Sequence, residues 1–359
     1  MSIIDRDLEA SCTRRLSGHK PVAPADALRA IANQAAAAQG ADLYGKGGAA
    51  ALLEQRRAEL LGKPSAMFFI KGMIAQMTVL RVVAEAARTP NVVIHPMSHL
   101  DLDEEGAAWR LHNLRPIRLG KYAPFTITQL EAVTDPIAAM VIELPLRRSG
   151  YLLPSLEELR AISAWARDRG IHLHFDGARL WEAAAGYGIP LAELAALADS
   201  VYVSFYKGLG GLGGAAVAAD DAFIGSLAVW KTRHGGNLYR IFPYAISALA
   251  GLDAQLDRMP TYVDRARALA EALQDETRVA VTPRVPHTNA FHLLMPGFVD
   301  ELAGRNRNFA TERGIWLFNA FYDSPVDGHS VGEIVIGDSS DDRDIAETVD
   351  WIRDFLDLG

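Results

Sequence analysis

The chain has 359 residues, a formal net charge of −8 and a single cysteine, and 50% of its residues are hydrophobic. A chain of this length is longer than a typical domain with a single hydrophobic core. It is typical of a large domain joined to a smaller one. Lysine and arginine are dispersed along the sequence, so nucleic acid and anionic membrane surfaces are not expected as partners. Because Cys12 is alone, an intrachain disulfide and a cysteine metal cluster are excluded, and no metal site is predicted.

The N-terminal sequence, MSIIDRDLEA, is charged within its first ten residues and has no apolar core of the kind that signal peptides carry. No uninterrupted apolar run approaches the roughly 18 residues that a membrane-spanning helix needs. We therefore expect a cytoplasmic protein that has no membrane partner.

In chain order, the sequence begins with a polar N-terminal segment, residues 1–22. From about residue 40 to residue 220, short apolar runs of strand length alternate with segments of helical periodicity. This alternation predicts an α/β fold whose mostly parallel sheet is covered by helices on both faces. We place a large α/β domain at 23–250 and a smaller C-terminal α+β domain at 251–359.

The first feature with chemical content follows the apolar run Met67–Ile70, which predicts a buried strand. Lys71, Gly72 and Met73 come next, and a helical pattern follows to about Ala87. A strand, a tight glycine turn and a helix N-terminus together form an anion site made of backbone N–H groups. Lys71 either adds positive charge to this site or points to solvent.

Two further strands end in residues of complementary chemistry. The first, Ile171–Phe175, alternates apolar residues with histidines and ends at Asp176. The second, Val201–Phe205, is followed by Lys207 and then by five glycines in seven residues, namely Gly208, Gly210, Gly211, Gly213 and Gly214. Because open α/β sheets bind ligands at the carboxyl ends of their strands, we expect Asp176 and Lys207 to face one site.

An aspartate and a lysine in this arrangement fit pyridoxal 5′-phosphate (PLP). Burial lowers the pKa of a lysine, and the neutral amine attacks an aldehyde to form a Schiff base. Asp176 would pair with the pyridinium nitrogen and keep the ring an electron sink. The ordinary alternatives are a solvated Lys207 beside a flexible loop and an Asp176 that only caps a helix.

The motif H-x-D-G-A-R, which ends at Arg179, and the motif S-x-x-K-G-L-G, which begins at Ser204, carry a family resemblance. They resemble the threonine aldolase/aromatic amino acid β-eliminating lyase family of fold-type I PLP-dependent enzymes. The resemblance covers most of the chain and is densest from 43 to 240. It implies an aspartate aminotransferase-like large domain, a smaller C-terminal domain, PLP as cofactor, and a homodimer or homotetramer.

The activity that this resemblance implies is that of a carbon–carbon lyase. Such an enzyme cleaves the Cα–Cβ bond of a β-hydroxy-α-amino acid and releases glycine and an aldehyde. One alternative is another PLP reaction on a specialised amino acid: β-elimination, transaldol transfer or racemisation. The other is a non-catalytic relative that binds a small molecule.

The resemblance also implies roles for single residues. Ser98-His99 and Glu105-Gly106-Ala107 match the family pattern, so His99 is expected to stack on the ring and relay a proton. Arg240 is expected to reach a phosphate, with Arg233 as its rival. The predicted catalytic residues are Lys207, His99 and Asp176. The predicted cofactor-binding residues are Lys207, Asp176, Arg179, His99, Lys71, Gly72, Met73, Ser204 and Arg240, and the predicted substrate-binding residues are Ser11, Arg179 and Tyr44.

Two departures from the family pattern bear on the substrate. Lys71 and Met73 replace hydroxyl residues in the phosphate turn. In the strand within Ser330–Asp338, Gly332 and Glu333 stand where the family has an arginine that binds the substrate carboxylate. Either another group holds the carboxylate, such as Arg179 helped by Arg284 or another arginine of the small domain, or the substrate differs.

Overall fold

The computed structural model of this protein describes residues 6–358. Within this range the helices are α1 (Arg6–Ser11), α2 (Pro24–Ala32), α3 (Gly48–Leu61), α4 (Gly72–Ala87), α5 (His99–Leu102), α6 (Ala107–His112), α7 (Ile127–Glu131), α8 (Leu156–Asp168), α9 (Leu180–Tyr187), α10 (Leu191–Ala195), α11 (Asp221–Arg233), α12 (Phe242–Gln255), α13 (Met259–Ala272), α14 (Val299–Arg313) and α15 (Ile345–Asp357). The strands there are β1 (Arg14–Arg15), β2 (Ser65–Phe69), β3 (Asn91–Ile94), β4 (Arg115–Arg118), β5 (Ala139–Glu143), β6 (His172–Gly177), β7 (Ser200–Ser204), β8 (Ala215–Ala219), β9 (Ala280–Thr282), β10 (Ala290–Pro296), β11 (Ile315–Trp316), β12 (Phe321–Asp323) and β13 (His329–Val335).

Contacts divide the described chain into two units. The large unit is Pro24–Asp257, and the small unit combines residues 6–23 with residues 258–358. The described part of the predicted N-terminal segment therefore groups with the C-terminal residues. Within the small unit, the backbone N–H of Leu16 donates to the carbonyl of Trp316 at 2.8 Å, and that of Gly18 donates to Val335 at 2.7 Å.

The large unit contains a seven-stranded sheet with the strand order β2-β8-β7-β6-β5-β3-β4. Neighbouring strands from β7 to β4 run parallel, and only the pairs that include β8 are antiparallel. Strands β5, β7 and β8 are buried along their whole length, which is why their sequences are nearly continuous apolar runs. This mostly parallel sheet agrees with the predicted α/β fold class.

The small unit contains a four-stranded antiparallel sheet with the order β12-β13-β10-β9. It also contains a two-stranded parallel pair, in which Arg14 of β1 lies opposite Ile315 of β11. The helices α13, α14 and α15 belong to the same unit, so it is an α+β unit as predicted. None of the helices within residues 6–358 combines the length and apolar character that crossing a membrane requires.

Candidate active site

The sheet of the large unit brings the carboxyl ends of β6 and β7 side by side, with Gly177 of β6 in register with Val203 of β7. Asp176 lies at the end of one strand, and Lys207 follows the end of its neighbour. Both line a cavity of about 150 Å³ within this unit. The other residues that line it are Lys71, Gly72, Met73, Gln76, His99, Asp103, Glu104, Ala178, Tyr202 and Tyr206.

The amino group of Lys207 is buried, and this burial lowers its pKa to about 8. The positive charge of Arg179 contributes next in the same direction, whereas the negative charges of Asp176 and Glu143 oppose it. A lysine with this pKa carries far more neutral amine at neutral pH than an exposed one. Because the neutral form is the nucleophile, Lys207 can attack an aldehyde.

The turn after Lys207 depends on a close approach between two elements. A β-carbon at Gly208 would overlap the carboxylate of Glu182, a fully buried residue of α9. The turn is closed by a hydrogen bond from the N–H of Gly210 to the carbonyl of Lys207 at 3.1 Å. The glycine at 208 therefore lets α9 pack directly beneath the peptide that follows Lys207.

Asp176 is buried, and its Oδ1 accepts a hydrogen bond from the N–H of Ala178 at 3.2 Å. Glu143 of β5 lies directly opposite it in the parallel register. Burial raises the pKa of Glu143 to about 7, and the negative charge of Asp176 is the next cause. Two carboxyl groups on neighbouring strands make this edge of the sheet favourable for a cation such as a protonated ring nitrogen.

The N-terminus of α4 opens onto the same cavity. Lys71 is the N-cap residue, and Gly72 and Met73 begin a helix of 16 residues. A β-carbon at Gly72 would overlap the hydroxyl of Tyr202, so only glycine fits there. The Nζ of Lys71 lies 6.0 Å from the centre of the Tyr206 ring. The backbone N–H groups and the positive end of the helix dipole suit a bound phosphate.

A buried side chain supports the presence of a bound group. The Oε1 of Gln76 pairs with Nε2 of His174 at 2.7 Å. The amide nitrogen of Gln76 has no hydrogen-bond partner among the described residues. A buried amide nitrogen left in this state costs about 1–3 kcal/mol, and an acceptor on a ligand would remove that cost. With Lys207, Asp176 and the α4 N-terminus, the cavity therefore fits the aldehyde, ring nitrogen and phosphate of PLP.

His99 and Glu104 form a pair on the wall of the cavity. The Nδ1 of His99 lies 3.2 Å from Oε1 of Glu104, and the Glu104 side chain is buried. This hydrogen bond is the main reason that the pKa of His99 is raised, and burial opposes it. Burial raises the pKa of Glu104, and the hydrogen bond and the charge of His99 oppose this rise. The acidic partner is Glu104 and not the exposed Glu105 of the matched motif.

We expect Glu104→Gln to lower the pKa of His99, because an amide cannot supply the negative charge that stabilises the imidazolium. NMR titration of the His99 ring, assigned with a His99→Gln variant, measures this shift. The limb of the pH–rate profile that reports His99 should move to lower pH in the same variant. Glu105→Gln is the matched control and should leave both unchanged. An unaltered His99 titration in Glu104→Gln would contradict the pairing.

Comparison with known protein families identifies the chain's relatives. The family model described as beta-eliminating lyase matches residues 23–295, which is more than half of the chain. The chain belongs to the beta-eliminating lyase family. This confirms the predicted family, and the family and its structural neighbours are PLP-dependent.

Two solved structures and one curated relative are similar to this chain over most of its length. A candidate aromatic amino acid beta-eliminating lyase/threonine aldolase of Exiguobacterium sp. 255-15 is 34% identical with a TM-score of 0.90, and 99% of each chain is covered. A candidate L-allo-threonine aldolase of Listeria monocytogenes EGD-E is 32% identical with a TM-score of 0.91, over 99% of this chain and 98% of that one. Low-specificity L-threonine aldolase 1 of Arabidopsis thaliana is 26% identical over 306 residues, 82% of this chain and 84% of that protein. These similarities confirm the predicted fold-type I fold.

Two of the predicted ligand residues, Ser204 and Ser11, have contacts within their own units. Ser204 is buried at the end of β7, and its carbonyl accepts a hydrogen bond from Nε1 of Trp181 at 3.2 Å. Ser11 lies in the small unit at the end of α1, where its hydroxyl donates to the carbonyl of Leu8 at 2.7 Å. The cofactor role of Ser204 and the substrate role of Ser11 stay predictions.

Tyr44 and Arg240 lie together elsewhere in the large unit. Tyr44 is half exposed and donates its N–H to the carbonyl of Tyr239 at 3.0 Å. Arg240 donates to the carbonyl of Asp42 and lies over the Tyr239 ring, with its guanidinium carbon 4.5 Å from the ring centre. Among the described residues of the large unit, those that line the Lys207 cavity include neither Tyr44 nor Arg240. Their ligand roles also stay predictions.

The structure adds residues to the site that the motifs missed. Gln76, Glu104, Tyr202 and Tyr206 line the cavity, and Glu143 lies opposite Asp176. Glu104 could have been found from the sequence, because it stands two residues before Gly106-Ala107 and so begins the pattern E-x-G-A. The others become recognisable only when the strand register and the direction of each side chain are known.

Proposed function

We propose that this protein is a PLP-dependent carbon–carbon lyase. It cleaves the Cα–Cβ bond of a β-hydroxy-α-amino acid and releases glycine and an aldehyde. The observation that supports this most is that Lys207, Asp176 and His99 line one cavity in a member of the beta-eliminating lyase family. The names of its relatives, a low-specificity L-threonine aldolase in Arabidopsis thaliana and an L-allo-threonine aldolase in Listeria monocytogenes, point to the same substrate class.

The cofactor is assigned to residues of the large unit. Lys207 would hold it covalently through Nζ, Asp176 would pair with the ring nitrogen, and the first N–H groups of α4, after Lys71, would hold the phosphate. When bound, PLP supplies an electron sink for the electrons of the bond that breaks.

His99 is assigned the proton transfer at the substrate hydroxyl. Cleavage of the Cα–Cβ bond requires that the β-hydroxyl loses its proton as the aldehyde forms. With Nδ1 engaged by Glu104, Nε2 of His99 accepts that proton. The Glu104 carboxylate stabilises the imidazolium that results, in the way that a buried carboxylate supports a catalytic histidine.

Location and assembly are part of the proposal. We propose a cytoplasmic homodimer or homotetramer in which Arg240 of each copy serves the site of its neighbour. The exposed Tyr239 beside Arg240 and the exposed Tyr44 against it are consistent with a surface that another copy covers.

The direct test is turnover by the PLP-loaded enzyme of threonine, allo-threonine, phenylserine and larger β-hydroxy amino acids. We expect glycine and the matching aldehyde to form in equal amounts from at least one of them. Alanine, which has no β-hydroxyl, is the control and should yield no glycine. A protein that binds PLP but releases no glycine from any of these substrates contradicts the proposal.

A second reaction class is favoured by one observation. The strand β13 has Gly332 and Glu333 where the family resemblance predicts a carboxylate-binding arginine, and Glu333 lies 3.6 Å from His292. A changed anchor is compatible with β-elimination, transaldol transfer or racemisation on a specialised amino acid. Release of a 2-oxo acid and ammonia, aldehyde exchange, or inversion at Cα without glycine would identify these reactions.

A further inference from the structure

The small unit offers no anchor for a substrate carboxylate at the residues that the sequence suggested. Gly332 of β13 is packed so that a β-carbon would lie 2.8 Å from Met295 and Phe318. Arg284 is engaged by its neighbour, because its Nε donates to Oε1 of Gln274 at 2.9 Å. The cationic groups that act on Lys207 are Arg179 and Arg147 of the large unit.

Two consecutive arginines follow β5, and they have different surroundings. Arg148 forms an ion pair with Asp103, with 3.2 Å between its Nε and Oδ2 of the carboxylate. Arg147 is held through its backbone: its N–H donates to Oε1 of Glu143 at 3.1 Å. Since Glu143 lies opposite Asp176 in the sheet, the backbone of Arg147 is tied to the cofactor edge of the sheet.

Tyr151 connects Arg147 to Arg179. The N–H of Tyr151 donates to the carbonyl of Arg147 at 3.3 Å, and the guanidinium carbon of Arg179 lies 5.3 Å from the centre of the Tyr151 ring. Tyr151 is fully buried. Arg147 and Arg179 follow the carboxyl ends of the neighbouring parallel strands β5 and β6, and the charges of both lower the pKa of Lys207 after the larger effect of burial.

The geometry of an α-amino acid sets where its carboxylate must lie. The amine nitrogen and the carboxyl carbon are both bonded to Cα, so they are only about 2.5 Å apart. A substrate amine that takes the place of the Lys207 amine therefore brings its carboxylate into the same region. Two guanidinium groups whose charges reach Lys207 are suited to that carboxylate, because arginine forms paired hydrogen bonds with carboxylates.

We infer that Arg147, together with Arg179, binds the α-carboxylate of the substrate and replaces the arginine that β13 lacks. This inference rests on the proposed function, since it assumes that an amino acid exchanges with Lys207. It makes Arg147 a substrate-binding residue and gives Glu143 the task of positioning it.

The test compares two ligands that differ only in the carboxylate. Glycine and glycinamide are titrated against the PLP-loaded protein, and binding is followed by the change in the visible spectrum. We expect Arg147→Gln to weaken glycine binding about 30- to 100-fold, as for a lost charge-assisted hydrogen-bond pair, and to leave glycinamide binding unchanged. Arg160→Gln is the control, because Arg160 lies in α8 and pairs with Glu193, which does not line this cavity, and it should alter neither affinity. Arg147→Lys keeps the charge without the paired geometry and should recover part of the loss.

Several results would overturn the inference. Equal weakening of glycine and glycinamide would show that Arg147 acts on the fold or the cofactor, and an unchanged glycine affinity would show that it does not bind the carboxylate. If Arg147→Gln fails to load PLP, Arg147→Lys decides by the same comparison. A wild-type protein that does not prefer glycine to glycinamide also contradicts the inference. The preference for glycine over glycinamide is measured by binding and needs no turnover. A protein that lacks the lyase reaction but binds glycine through Arg147 would therefore be recognised.

Discussion

Lys207→Ala is expected to lower kcat by about a thousandfold or more and to abolish covalent attachment of PLP. The reason is that Lys207 is the buried amine at the carboxyl end of β7, beside Asp176, and burial has lowered its pKa to about 8. Alanine removes both the attacking amine and the cation whose charge acts on Asp176. Borohydride reduction of the wild type followed by peptide mapping should place the modified lysine at 207.

The matched control for this experiment is Lys231→Met. Burial also lowers the pKa of Lys231, but this lysine lines a different cavity of the large unit, beside Glu54. A lowered pKa alone would make both lysines reactive, whereas a formed PLP site selects Lys207. We expect Lys231→Met to keep the cofactor and the activity. Recovery of the borohydride label at Lys231, or at Lys71 of the α4 N-terminus, would contradict the assignment.

The backbone that positions the site could be predicted from the sequence. The apolar runs Met67–Ile70 and Val201–Phe205 predict buried strands, and the structure has β2 at Ser65–Phe69 and β7 at Ser200–Ser204. β7 is buried along its whole length and must be apolar on both faces, so its sequence stands out without any alignment, whereas β2 is an edge strand buried only at Phe68 and Phe69. Asp176 and Lys207 follow such runs, which is why the sequence could place them on one edge.

The side chains between these strands could not be predicted in the same way. Glu143 ends a strand as Asp176 does, but only the parallel register shows that the two lie opposite each other. Glu104 and Glu105 are adjacent in sequence, and their directions decide that the first is buried against His99 and the second is exposed. Arg147 and Arg148 are also adjacent in sequence and have different partners. The backbone N–H of Arg147 donates to Glu143, whereas the side chain of Arg148 pairs with Asp103.

Long-range polar contacts were also outside the reach of sequence patterns. Asp42 is fully buried and accepts hydrogen bonds from the N–H groups of Ile241 and Phe242, about 200 residues away. It thereby caps the N-terminus of α12 and holds the backbone next to Arg240. No local sequence pattern distinguishes this buried aspartate from an exposed one in a loop, since its partners are set by the packing of distant segments.

Asp176→Asn is expected to keep PLP bound and to reduce kcat by about a hundredfold to ten-thousandfold, the range that positioned proton-transfer groups contribute. The carboxylate of Asp176 can hold a proton on the ring nitrogen, and a protonated ring is the stronger electron sink. An amide of nearly the same shape keeps the space filled but supplies no negative charge. The pKa of Glu143 should fall in the variant, because the charge of Asp176 is the second cause of its rise after burial.

The matched control is Asp199→Asn, at the opposite end of the same pair of strands. Asp199 precedes β7, and its Oδ2 accepts a hydrogen bond from the N–H of Leu173 in β6 at 2.8 Å. Asp199 therefore has a structural contact to β6. It is not among the described residues that line the Lys207 cavity. We expect Asp199→Asn to lower the melting temperature, since it weakens a charge-assisted hydrogen bond, while kcat stays near that of the wild type.

Steady-state kinetics and PLP titration of the Asp176→Asn and Asp199→Asn variants separate the two roles. Near-wild-type turnover by Asp176→Asn, with cofactor bound, would contradict the assignment of Asp176 to the ring nitrogen.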